Sequence, residues 1–191
     1  MDTSTLVILG VLVVLIGYAV LIYNNLVSLK HAVSQAWANI DVLLKQRHDE
    51  LPKLIETCKQ YMKYERETLE AVMRARSAVA EAGERGDMGA LGEAEGQLRM
   101  GLGRLFALAE AYPELKANQS FQHLQTRISA LENSIADRRE FYNAAVNANN
   151  VRIEQLPDLL IARAFGFGPA QLLEFADTEK ADVNVKALFD T

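Results

Sequence analysis

The chain has 191 residues, half of them hydrophobic, with a mean hydropathy near zero, a net charge of −5, one Cys and one Trp. That balance excludes a disulfide scaffold, a Cys-rich zinc module and a strongly basic nucleic-acid binder, and the apolar content excludes a wholly disordered chain. The averages also conceal two populations, because no charge occurs between Asp2 and Lys30.

The first predicted element is an uncharged apolar helix over Leu6–Tyr23, eighteen residues of which sixteen are hydrophobic. At 1.5 Å per residue it is about 27 Å long, close to the ~30 Å hydrocarbon core of a bilayer. Tyr18 and Tyr23 fall towards its exit, where phenol rings favour the interface. A cleaved leader would need basic residues before the apolar run and a small-x-small site after it. This sequence has Asp2 before the run and Tyr18-Ala19-Val20-Leu21-Ile22-Tyr23 at its end, so residues 6–23 are expected to be an uncleaved anchor in the lipid bilayer. A lipid-modified Cys is excluded because Cys58 is far downstream. Lys30, Lys45 and Arg47 follow the span and no Lys or Arg precedes it, which predicts a short N-terminus outside and a cytoplasmic body.

Beyond the anchor, Ala, Leu, Glu, Gln and Arg dominate, which favours helix. Leu26, Leu29, Val33, Ala36, Ile40 and Leu43 step by three and four, and the stripe resumes at Leu51, Leu54, Ile55, Cys58, Tyr61 and Met62, then Leu69, Val72 and Val79. Pro52 removes a backbone donor and crowds the carbonyl of His48, so a kink or a restart capped by Asp49 is expected there. Leu26–Ala82 would span roughly 85 Å if straight. The first clear break is Ala82-Gly83-Glu84-Arg85-Gly86-Asp87, with Asp87 as N-cap of a second helix along Met88, Leu91, Leu98, Leu102, Leu105, Phe106 and Ala109. Its glycines 89, 92, 96, 101 and 103 each weaken helix by up to about 1 kcal/mol, which suggests close helix approach or mobility.

Ser120 is the expected cap of a third helix, whose stripe runs from Phe121 through Ile128, Ile135 and Tyr142 to Ile153 and stops at Leu156-Pro157. A short amphipathic piece follows over Leu159–Phe165, and Glu174–Thr191 is expected to be a frayed acidic tail. The predicted fold class is all-α: residues 1–25 as short N-terminus and transmembrane helix, 26–175 as an elongated antiparallel bundle, and 176–191 as the tail.

Several stretches carry a resemblance. They are Tyr23-Asn24-Asn25-Leu26-Val27, Ala36-Trp37-Ala38-Asn39-Ile40-Asp41, Arg47-His48-Asp49-Glu50-Leu51-Pro52 and Tyr64-Glu65-Arg66-Glu67-Thr68-Leu69. Further on come Glu110-Ala111-Tyr112-Pro113-Glu114-Leu115-Lys116-Ala117-Asn118, Glu132-Asn133-Ser134-Ile135-Ala136 and Arg139-Glu140-Phe141-Tyr142-Asn143. In this order and spacing, from Tyr23 to Phe175, the chain resembles the LemA family. The resemblance implies an all-helical antiparallel bundle behind an N-terminal membrane helix, in a bacterial inner membrane, and it implies no mechanism. Leu156 stands where the family usually has Phe, and 176–191 extend past the matched region.

No catalytic or cofactor constellation is apparent. His31, His48 and His123 make no Glu-x-x-His or His-Glu-x-x-His spacing, and no Gly-Lys-Ser/Thr follows the glycines. Cys58, on the apolar stripe, reads as a packed thiol rather than a nucleophile. The most distinctive polar cluster is Asp41, Arg47, Asp49 and Glu50 around Pro52, with Arg47 where the heptad wants an apolar residue. Asn118, Glu132, Arg139, Tyr142 and Asn143 are candidates to join it, either as a buried network fixing helix register or as a binding site at the kink. Trp37 is expected to pack in the bundle, and Leu159–Phe167 either to cover its open end or to dock a partner. The reading is a non-enzymatic, membrane-anchored scaffold for membrane or envelope proteins, with no cofactor, no metal and no nucleic acid. Self-association is a natural extension. The alternatives are an oligomeric membrane-shaping protein and, with less support, a metal-binding or enzymatic bundle.

Overall fold

The computed structural model describes residues 2–174 and, among them, six helices and no strand. They are α1 (Thr3–Tyr61), α2 (Arg66–Arg85), α3 (Met88–Ala109), α4 (Pro113–Lys116), α5 (Gln119–Glu154) and α6 (Asp158–Phe165). The expected tail lies outside the described residues beyond Glu174. Two compact units divide the chain, one made of residues up to Ile40 with Arg138–Leu172, the other of Asp41–Asp137 with the segment from Leu173. Helices α1 and α5 contribute to both.

In the first unit, α1 and α5 run antiparallel: Leu26 shares an apolar cluster with Ile153, and Trp37 meets Tyr142 edge-on at 5.9 Å. Helix α6 closes this cluster through Ala162. The chain after α6 then returns along α5 as an extended strap. Asn150 pins it by donating to the Ala170 carbonyl and accepting from the Ala170 N–H, both at 2.9 Å, while the Tyr142 hydroxyl donates to the Gln171 carbonyl at 2.8 Å. An irregular strand needs such side-chain partners, because it has no ladder to satisfy its backbone. At the start of α1, the apolar run is long enough to cross a membrane and its side chains are exposed, with Leu6 to Leu21 offering an almost unbroken apolar surface.

In the second unit the core is built from the predicted stripes. Ile40 closes the first unit's run, and in the second Leu51, Leu54, Ile55, Cys58 and Met62 are buried, as are Leu91, Leu98, Leu105, Phe121 and Ile128. Gly86, at φ 65°, ends α2 in the left-handed conformation that glycine adopts without strain, and Asp87 Oδ1 accepts from Ala90 N at 3.0 Å to cap α3. Two of the α3 glycines mark close approach. A Cβ at Gly101 would sit 3.3 Å from Val72 of α2, and one at Gly92 would collide with the backbone carbonyl of Glu174.

Three expectations are corrected here. The long amphipathic run breaks at Met62–Glu65, not first at Ala82, although no Gly or Pro stands there; Tyr64 projects into solvent at 94 % exposure. Pro52 neither breaks nor restarts the helix, and Asp49 is an exposed mid-helix residue rather than a cap. The third helix is capped not by Ser120 but by Asn118, whose Oδ1 accepts from Phe121 N at 3.1 Å while its Nδ2 donates to the Tyr61 hydroxyl at 3.1 Å.

The reason α1 survives Pro52 is specific. Proline has no N–H for the carbonyl four residues back, which is His48. Arg76 of α2 supplies the missing donor: its Nε donates to the His48 carbonyl at 2.9 Å, and its terminal nitrogen lies 2.6 Å from His48 Nε2. Burial, then the neighbouring Arg76 charge, lowers the His48 pKa from its ordinary 6.5, with Arg47 adding to the effect and Asp49 and Glu84 opposing it. A lowered imidazole pKa stabilises the fold while the ring is neutral. That contribution is complete above 6.5 and is lost as pH falls through the folded value. Acidification should therefore lower the melting temperature over that window, and His48→Gln should flatten the slope. Arg76→Ala should cost about 1–3 kcal/mol by orphaning the carbonyl, read by thermal unfolding at neutral pH.

Candidate functional site

The polar centre of the second unit is Arg47, 1 % exposed although it is the largest fully buried side chain. It sits on the apolar face of α1 between Leu44 and Leu51, so the helix has no choice but to carry it inward. Two carboxylates meet it there. Glu95 of α3 takes one terminal nitrogen of the guanidinium and Glu132 of α5 the other, so three helices share one cation. Burial by itself would lower the Arg47 pKa, but the two carboxylates outweigh it and hold the guanidinium above its ordinary value. The Glu95 carboxyl is pushed up by burial, partly offset by Arg47, with Glu132 adding to the rise. The arrangement ties α1, α3 and α5 together at one buried cation.

Of the other candidates, the structure brings few to this point. Asp41 pairs at 2.6 Å with Lys45 on the surface, Asp49 is exposed, and Glu50 pairs at 3.2 Å with Arg127. Asn118 caps α5 as described. Arg139, Tyr142 and Asn143 belong to the first unit, where Tyr142 holds the strap and the other two are half-buried on α5. Glu95 was not among the predicted residues. Its signal was nevertheless present: it falls four residues after Leu91 and three before Leu98, an acid on an apolar stripe, which demands a buried cation.

The same unit holds an open groove of about 1220 Å³ between the end of α1 and α2. Ile55, Met62, Leu69, Met73 and Ala78 form its apolar lining, with Lys59, Lys63, Arg66 and Arg74 against Glu70 and Glu81 around them. Lys59 pairs with Glu56 at 3.5 Å and Arg74 with Glu70 at 3.8 Å. Methionines make such a floor adaptable. Cys58 is fully buried nearby and its thiol is pushed up to about 12 by burial, so it is no thiolate at neutral pH. Among the described residues, no group of three or more His, Cys, Asp and Glu side chains is placed to hold a metal ion.

The LemA family profile matches residues 36–187. Magnetosome protein MamQ 2 of Paramagnetospirillum magneticum is 26 % identical, over 88 % of this chain and 71 % of its own length. Magnetosome protein MamQ of Magnetospirillum gryphiswaldense is 25 % identical, over 76 % of this chain and 62 % of its own. Protein LemA of Metamycoplasma hominis is 24 % identical, over 86 % and 74 %. With most of its length matched in this way, the chain belongs to the LemA family.

Proposed function

We propose that the chain is a membrane-anchored, non-enzymatic scaffold that presents a helical body to membrane or envelope proteins. The observation that supports this most is α1 itself, a single 59-residue helix that carries the apolar span at one end and a wall of the groove at the other. Anchor and docking surface thus share one helix of the chain. The groove has the mixed lining of a helix-in-groove site, and its excess of Lys and Arg suits an amphipathic partner helix with an acidic face. Two relatives are named as magnetosome proteins, that is, for a structure rather than for a reaction. The positive-inside bias supports a short N-terminus outside and a cytoplasmic body.

The test is photo-crosslinking in the native membrane from Met73, half-buried in the groove, and from Val42, more exposed to solvent but outside it. Discrete adducts with one or a few membrane proteins from Met73 alone, lost on Lys63→Glu with Arg66→Glu, are the expected result. Adducts between two copies of the chain would favour the oligomeric, membrane-shaping reading. Equal labelling from both positions would overturn the scaffold.

A further inference from the structure

Helix α6 has an outer face that the fold leaves uncovered. Its inner face packs Ala162 and Ile161 against Ile22 and Leu26 of α1. Away from that face Leu160 is 63 % exposed, and Leu156, one turn earlier, is 74 % exposed; Phe165, at the α1 side of the helix, still leaves 63 % of its surface open. Exposed apolar side chains singly are ordinary, but three within ten residues, two on α6 and one in its entry turn, are a concentration.

The position of this patch along α1 identifies its occupant. Ile22 belongs to the last turn of the apolar run, yet it is only 5 % exposed, whereas the side chains before it are open. Helix α6 is what covers it. The Tyr23 ring meets Phe165 edge-on at 4.9 Å and Phe167 at 5.6 Å. Thus α6 stands level with the point where the span ends, where a soluble helix would have to expose its leucines to the headgroup layer. Arg163, exposed on the same helix, has a stem long enough to carry its charge out to phosphate oxygens while its methylenes stay with the leucines.

We propose that α6 and the turn before it form an interfacial foot, with Leu156, Leu160 and Phe165 inserted at the headgroup–acyl boundary of the bilayer that α1 crosses. The foot gives the span a second contact with the membrane and fixes the rotation of α1 about its own axis. The inference rests on α1 being a membrane span.

The experiment reads depth rather than binding, since the anchor alone would bind. Cysteines are introduced singly as Leu160→Cys, Phe165→Cys, Val14→Cys and Phe141→Cys in the full chain, spin-labelled, and reconstituted into vesicles of neutral and anionic phospholipid. Native Cys58 is buried with a poorly ionised thiol and should remain unlabelled. Position 141 is the aqueous control: its neighbour Tyr142 lies against Trp37, about 21 Å of helix beyond Tyr23. Collision with oxygen relative to a water-soluble nickel complex should be several-fold higher at 160 and 165 than at 141, and highest at 14. Values at 160 and 165 equal to that at 141 would overturn the foot, as would protection from both reagents, which would mean a protein surface covers the patch. A low value at position 14 would remove the span itself, and the foot with it.

Discussion

Replacing Arg47 by Ala should destabilise the protein by about 3–5 kcal/mol, because the two carboxylates it holds would stay buried without a cation. Glu95 is 3 % exposed and cannot turn to water, and Glu132 is largely covered. At about 2–4 °C per kcal/mol for a chain of this size, thermal unfolding of the full-length protein in detergent should begin roughly 6–20 °C earlier. The surface pair beside it gives the scale. Lys45→Ala breaks an ion pair of comparable geometry, but the lysine is 74 % exposed and the loss should stay within about 1 kcal/mol. A third variant separates register from mere stability. Arg47→Met with Glu95→Met and Glu132→Leu removes the whole triad and should recover most of the loss, since apolar replacement of a buried ion network is often neutral or better. If Arg47→Ala melts with the native protein, the triad is not a buried network.

Much of this architecture was legible in the sequence because helix stripes are local. Leu51, Leu54 and Cys58, or Leu91, Leu98 and Leu105, are spaced so that only a helix gathers them on one face, and all are buried. Arg47 also stood out, as a charge on such a stripe. What escaped depends on partners distant in sequence. Pro52 reads as a point of kink or restart until Arg76, 24 residues later in the chain, is seen bonding the carbonyl that the proline orphans. Asn118 and Ser120 are equally good caps by residue type, and the Tyr61 hydroxyl, which only the packed structure brings near, favours the first. The turn at Met62–Glu65 contains no residue that breaks helices, so nothing local marks the end of α1 there. The strap over Gly166–Glu174 has no periodicity to read; its order comes from Asn150 and Tyr142 on another element.

The second large effect concerns the anchor. Val13 and Val14 are 68 % and 70 % exposed in the middle of the apolar run, with nothing in the protein to accept a charge. Val13→Arg with Val14→Arg should oppose insertion by about 5–7 kcal/mol on the scale for charges at a span centre, enough to reverse the partition. The body carries its own core, so this variant should remain folded and change only its location. Cell membranes extracted with alkaline carbonate provide the direct measurement. The native chain should stay with the membrane pellet and the double-arginine variant should pass largely to the supernatant. A native chain released by carbonate as readily as the variant would contradict a bilayer span at the head of α1.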